Sequence, residues 1–405
     1  MVVSHRTAKS PRVPLQVYLV SIMTLLLISS VSVLHTNEYE FVFLRFEGIT
    51  MFQLSLFDTL LYTSYLLFGF LTGILSDMTS RRRVFVIAGS TGSALLFILM
   101  TRTASYGLLL TLRFIQGACS VMAWQTLMTL VLDLSDHDNR GRCMGVFGGF
   151  FALSMGIGPL IGGILADRST LLPYYTAATL GLLVAVSASL LLGEPSHISG
   201  RKPLKKSLAI LKQMPGLAVP SLFNFVDRLH IGFILFLLPL FLKLDLDLGP
   251  ESRGLILGIH ALPFILLQYP VGRWSDRVGR LKILIPGTIG YGILLSLAGY
   301  IGTLGLGFTA AVFVLLGICS GLTGPTNAAL VADISGGRNN ALSMALFNLS
   351  GNLGIIAGPL LAGWLLEHLI PASSFVGGGI IEIAALLLAL PLLRLFRIPY
   401  RRVSP

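Results

Sequence analysis

Six ionisable residues stand inside long apolar stretches: Asp58, Arg113, Asp227 with its neighbour Arg228, His260 and Glu382. Carboxylates, a guanidinium and an imidazole in such surroundings can hold a proton, pair with an opposite charge or hold a charged solute. Placing them in hydrocarbon is costly, so each is a functional hypothesis by default. Asp58 recurs at helical spacing with Tyr62, Tyr65 and Gly69, and Arg113 with Gln116, Ser120 and Trp124. Each set makes one polar stripe along an otherwise apolar helix. Asp58 precedes Asp77 by 19 residues and Arg113 precedes Asp133 by 20, about 28 and 30 Å along a helix. The two side chains therefore stand at matching depth. They suit an ion pair that carries function or one that only locks two helices. Asn224, Asp227 and Arg228 share a face at i, i+3 and i+4. As adjacent residues, Asp227 and Arg228 point about 100° apart, which argues against simple self-neutralisation. His260 reads as a hydrogen-bonded packing residue. Glu382 is expected to be protonated or turned inward.

The elements that position these residues follow from composition. Hydrophobic residues make up 54% of the 405 positions and charged ones 12%, with a mean hydropathy of +0.83. That balance lies outside soluble globular composition and defines a polytopic membrane protein. At roughly 20 apolar residues per span, the runs predict twelve helices near 16–35, 53–76, 84–101, 105–132, 143–166, 171–193, 217–242, 253–274, 283–303, 307–332, 341–366 and 374–393. The first run is too long for a signal-peptide core and lacks a clear cleavage site, so it reads as a helix. The net charge of +11 does not imply a nucleic-acid partner, because the cationic residues crowd alternate loops. Those loops include Arg81 to Arg83, Arg140, Arg142, Arg277, Arg280 and Lys282, whereas Glu38, Glu40, Glu47, Asp245 and Glu251 occupy the others. The asymmetry places both termini in the cytoplasm and 36–52 and 243–252 outside. Cys119, Cys143 and Cys319 form no disulfide or zinc framework.

The chain also repeats itself. Gly117-Ala-Cys-Ser returns as Gly317-Ile-Cys-Ser, Asp133-Leu-Ser as Asp333-Ile-Ser, and Gly158-Pro159 as Gly358-Pro359, each 200 residues on. Gly73-Ile-Leu-Ser-Asp77-Met-Thr-Ser-Arg81-Arg82-Arg83 matches Gly272-Arg-Trp-Ser-Asp276-Arg277-Val-Gly279-Arg280 with offsets of 199 at Asp77/Asp276 and Arg81/Arg280. Each copy is a tight loop between two spans: a glycine for close packing, an acid at a helix end, a turn and a cationic cluster. The halves run over 1–193 and 216–405, joined by a linker, 194–215, whose stretch 204–214 is amphipathic. These loops resemble the signature between helices 2 and 3 of the major facilitator superfamily of secondary transporters. Gly272, Asp276, Arg277, Gly279 and Arg280 match nearly in full, while Met78 and Ser80 depart in the first copy. The resemblance implies an all-α membrane fold of two pseudo-symmetric six-helix halves, with the solute site between them near mid-membrane. Leu112-Arg113-Phe-Ile-Gln116-Gly117 is similar to the superfamily's helix 4 motif, where an intramembrane arginine accompanies proton-linked transport; Phe313 stands at the matching place of the second half. Gly158, Pro159, Gly162 and Gly163 resemble the proline–glycine motif of the drug–proton antiporter branch, and they equally suit close packing of helices.

Several function classes drop out. No metal-spaced His/Cys/Asp cluster, serine elbow or nucleotide loop supports an enzyme, and no repeated filter supports a channel. With no ATPase motif, a gradient must supply the work, and no cofactor is expected. The expected function is a secondary transporter, proton-coupled and exporting amphipathic compounds, monomeric in the plasma membrane. The alternative is an uptake symporter or uniporter for a small organic solute. Asp58, Arg113, Gln116, Asn224, Asp227 and Arg228 are the expected substrate and proton pathway. Ser21, Thr24, Ser320, Thr323 and Asn327 are candidates for a polar cavity lining.

Overall fold

A computed structural model describes residues 13–79, 81–136, 139–193, 214–335 and 340–396. Twelve described helices are long and apolar enough to cross a membrane. They are α1 (Leu15–Ser32), α2 (Met51–Thr79), α3 (Arg82–Arg102), α4 (Tyr106–Asp133), α5 (Arg140–Arg168), α6 (Leu172–Leu191), α7 (Ala218–Leu244), α8 (Pro250–Val278), α9 (Arg280–Gly302), α10 (Leu306–Ser335), α11 (Asn340–His368) and α12 (Pro371–Leu395). Such helices satisfy their own backbone hydrogen bonds, which a lipid environment demands. Nearly all of the expected linker, including 204–213 of its amphipathic stretch, lies outside the described residues.

Glycines set how the helices meet, and they do so twice. A Cβ at Gly117 would strike Ser64 and Leu61 of α2, and one at Gly317 would strike the His260 carbonyl of α8. Gly158 and Gly162 of α5 seat against Ser32 and Val33 at the end of α1. In the other half, Gly354 and Gly358 of α11 seat against the Phe225 and Leu229 carbonyls of α7. The repeated words are therefore close-approach notches, the device by which apolar helices associate without a hydrophobic driving force.

The two loops between α2–α3 and α8–α9 are built alike. Arg280 donates from Nε to Asp333 Oδ2 (3.0 Å), from Nη1 to Ser275 Oγ (2.5 Å) and from Nη2 to Asp276. In the first half the same bonds come from Arg82, whose Nε reaches Asp133 Oδ2 (3.2 Å) and whose Nη1 reaches Ser76 Oγ (2.6 Å). The expected equivalence of Arg81 with Arg280 is thus displaced by one residue. The first loop holds one residue more between its serine and its arginine, and Arg81 stands exposed just before α3 without a side-chain cap bond. Gly279 adopts φ 109°, a conformation open to glycine, and so ends α8 within a single residue. Arg277 is exposed.

At the end opposite these basic loops the halves close on each other. Gly163 of α5 lies on the backbone of Pro250 and Glu251 in α8, and Gly363 of α11 lies on Ser55 and Met51 in α2. Arg253 of α8 pairs with Glu40 across the halves, and the Phe52 amide donates to Glu367 (3.0 Å). At the basic end, by contrast, Gly145, Gly148 and Gly149 of α5 and Gly272 of α8 border open space. Among the described residues, the halves do not meet at these positions.

The closed end corrects one expectation. Residues 36–52 read as an external loop, yet Asn37 is 1% exposed and Phe41, Val42 and Phe46 are buried. After α1 the chain makes a short wide turn, Tyr39–Phe43, and plugs the first half. Asn37 Nδ2 donates to the Thr170 carbonyl (2.6 Å), and Phe41 packs on Tyr174 with ring centroids 3.8 Å apart. Arg45 donates to the carbonyls of Met100 (3.1 Å), Thr101 (3.2 Å) and Thr103. A cation thereby satisfies the orphan acceptors at the end of α3. Because Asn37 is buried, topology is better read from Leu44 at the closed end (60% exposed) and Met78 at the basic end (77%). Single cysteines there, on a cysteine-free background, are expected to react with an impermeant reagent from opposite sides. Labelling of both from the same side would sink the topology.

Candidate functional site

In the first half, α2 and α4 bring together the groups that their matching depth predicts. Arg113 Nη2 lies 3.4 Å from Asp58 Oδ1, and both side chains are 0% exposed. The guanidinium also covers the Phe57 ring at 4.3 Å and donates to Gln116 Oε1 (3.2 Å). Gln116 Nε2 in turn donates to Ser93 (2.9 Å) and Ser120 (2.7 Å), which carries the network to α3. Such a chain orients the guanidinium, as buried polar groups require full partnering.

Two members of this cluster were not anticipated. His35 and Glu38 enter from the plug: His35 Nδ1 is 3.1 Å from Glu38 Oε1 and 3.6 Å from Asp58 Oδ2. Burial opposes charge on His35, but Asp58 and Glu38 outweigh it and raise the imidazole to about 9. Burial, and then the negative charge of Asp58, push the Glu38 carboxyl up to about 7. The clue in the sequence was the pair His35/Glu38 at i, i+3 just past a span, which reads as ordinary loop polarity until the plug is seen to be buried.

The second half carries its charges elsewhere. His230 of α7 places Nδ1 3.1 Å from Glu382 Oε2 of α12 and Nε2 2.9 Å from the Gly378 carbonyl. Both ring nitrogens face acceptors. One proton must therefore be shared, as imidazolium with carboxylate or as neutral ring with carboxylic acid. This accounts for Glu382, which turns inward. Asp227 is half-buried one turn earlier, within electrostatic reach of Arg228, Glu382 and His230. Arg228 is exposed. Asn224 does not share their setting: it is buried and donates to the Phe347 carbonyl of α11 (2.5 Å). His260 bonds the Phe313 carbonyl through Nδ1 (3.0 Å).

The remaining candidates take supporting places. Gly158 and Gly162 pack α5 on α1, while Gly163 and the Pro159 carbonyl meet α8 of the other half, at Pro250 and Gly254. Gly73 is buried on α2, four residues before Asp77. Ser21, Thr24 and Thr323 are buried and bond carbonyls of their own helices, and Asn327 donates to the Pro220 carbonyl of α7 (3.1 Å). These five positions, Ser320 included, are buried at helix contacts rather than on an open lining.

The sequence model of the Major Facilitator Superfamily matches residues 17–226 and 220–404. The chain belongs to that superfamily and is a multi-pass membrane transporter, with a fold that is not an enzyme's. An uncharacterized MFS-type transporter of Methanocaldococcus jannaschii is 23% identical over 307 residues, 73% of this chain and 78% of that one. Multidrug resistance protein 2 of Bacillus subtilis is 30% identical over 165 residues, 40% of each chain. Among solved structures, the nucleoside transporter NupG superposes with a TM-score of 0.75 at 13% identity, covering 95% of this chain and 100% of its own.

Proposed function

We propose that the protein is a proton-coupled secondary transporter that exports amphipathic small molecules across the plasma membrane by alternating access. Both termini are cytoplasmic and the working unit is the monomer. The observation that carries this reading is the combination of halves parted at the basic end, sealed at the other, and furnished with buried titratable groups in each. The excess of Lys and Arg favours a cytoplasmic position for the parted end, so in this reading the solute enters between the halves from inside. Asp58, Arg113 and Gln116 form the first half's part of the pathway, and Asp227 with Arg228 the second's. The α5 glycines and the partial likeness to a multidrug resistance protein favour export. An importer would use the same two states in the opposite sense, so direction has to be measured.

Asp227 is the proton-coupling carboxyl in this reading. Desolvation favours its neutral form, whereas Arg228 or a cationic solute favours the carboxylate. A group balanced in this way changes its proton affinity as the halves rock, which coupling requires. In proteoliposomes with an imposed pH gradient, a counterflow screen should find amphipathic solutes that accumulate against their gradient. Asp227→Asn is expected to abolish that accumulation while downhill exchange stays measurable. Wild-type accumulation in the variant would remove Asp227 from the mechanism. Solute movement indifferent to the pH gradient would remove proton coupling.

A further inference from the structure

The plug between α1 and α2 does two things at once. Glu38 turns inward to the Asp58–Arg113 pair, and Glu40, two residues later, reaches across the halves to Arg253. A small cavity lies between these contacts, bordered by His35, Glu38 and Arg253 and walled on the α7 side by Phe236, Pro239 and Leu240.

We propose that His35, Glu38, Asp58 and Arg113 form a second proton-binding site, and that its proton holds the Glu40–Arg253 latch and the external end shut.

The argument is a charge count in a dry place. Above about pH 7, where Glu38 is ionised, Asp58 and Glu38 bring two negative charges, and Arg113 brings one fixed positive charge. A neutral His35 leaves a net negative charge in a cluster closed to water, which is expensive. One proton on His35 balances the set. Its Nδ1–H faces both carboxylates, and among the described residues Asp58 Oδ2 has no other partner. The titratable and charged groups around the cluster are Asp58, Tyr62 and Tyr65 on α2, Arg113 on α4, Tyr174 on α6, Arg45 of the plug and Arg253 on α8; the α7 wall is apolar. Of the remaining cations, Arg253 is held by Glu40 and Arg45 by the carbonyls that end α3, so neither supplies the balancing positive charge. Opening the external end would admit water, weaken the carboxylates' hold and return the imidazole toward its ordinary 6.5. The closed end is therefore stabilised in full below pH 6.5 and loses that stabilisation as pH rises through about 9, the value in the closed structure.

This inference rests on alternating access and is independent of export direction, solute and Asp227. Its test needs neither solute nor gradient. Spin labels at Arg102 (end of α3) and Leu304 (after α9), both at the closed end, report the separation of the halves by pulsed electron resonance in lipid nanodiscs. The short distance is expected to dominate at pH 6 and to give way to a longer one by pH 9.5. In His35→Gln the step through about pH 9 should be lost, leaving only the titration of Glu38 at lower pH. Glu40→Gln should lengthen the mean distance at every pH yet keep the midpoint, since it cuts the latch and spares the site. Should His35→Gln not fold, Glu38→Gln serves: removing one negative charge should move the midpoint down by at least one pH unit. A wild-type distribution that ignores pH, or an unchanged midpoint in either site variant, overturns the proposal. Closure at pH 9.5 driven by micromolar zinc or manganese would also overturn it, by making the bound cation a metal rather than a proton.

Discussion

Arg113→Gln is expected to destabilise the folded transporter by about 3–5 kcal/mol, the range for leaving a buried charge unpaired. Asp58→Asn is expected to cost much less, although it breaks the same contact. The asymmetry follows from the four groups present. Without Arg113, Asp58 and Glu38 share one imidazolium, and above about pH 7, where Glu38 is ionised, a negative charge stays uncompensated in a site with no exposure to water. Without Asp58, Glu38 lies within the field of Arg113 and His35 can release its proton, so the set remains neutral. The double variant retains a His35–Glu38 pair that is neutral as a whole and should recover part of the loss. Thermal unfolding in a fixed detergent, with transport read in parallel, gives the three values. Equal costs for the two single variants would mean that His35 does not adjust, and a double variant as poor as the two combined would dissolve the pair.

How far the sequence spoke depended on whether a residue's partner was fixed by helix periodicity. The spans, the two halves and the depth match of Asp58 with Arg113 all follow from rise per residue and apolar run length, so they were legible. The charge network at each signature loop was legible as well, but its register was not. Subtraction of residue numbers aligned Arg81 with Arg280, whereas Arg82 makes the bonds, because one extra residue in a loop shifts every later side chain. The plug was hidden for a different reason. His35, Asn37, Glu38 and Glu40 look like solvated loop residues, and only tertiary packing buries them against α2, α6 and α8. Glu382 was similarly opaque: its partner His230 is 152 residues away in the chain, and no spacing rule links α7 to α12.

The glycines of α5 and α11 divide into two sets, and valine at each set is expected to fail differently. Gly158 and Gly358 press on α1 and α7 within their own halves, where the neighbouring atoms are Ser32 at the end of α1 and backbone at Leu229 and Phe233. Those helices belong to one packed unit in both states of a rocking transporter. A branched side chain there has no state in which it fits, so Gly158→Val and Gly358→Val should cost the fold, seen as loss of the monodisperse peak in size-exclusion chromatography. Gly163 and Gly363 press instead on helices of the opposite half, on the backbone of Pro250 and Glu251 and on Met51 and Ser55. In the alternating access proposed above, rocking separates those surfaces. Gly163→Val and Gly363→Val should therefore fold, remain open at the external end and lose transport to background, because the closed state cannot re-form over a wedge against backbone. Spin labels at Arg102 and Leu304, both exposed at the closed end, should then report the longer separation in both variants. Equal behaviour of 163 and 363 is demanded by the pseudo-symmetry of the α5–α8 and α11–α2 contacts. Normal transport in either variant would show that the external end does not close through these helices, and unfolding in both would make their contact part of the fixed core instead of a moving one.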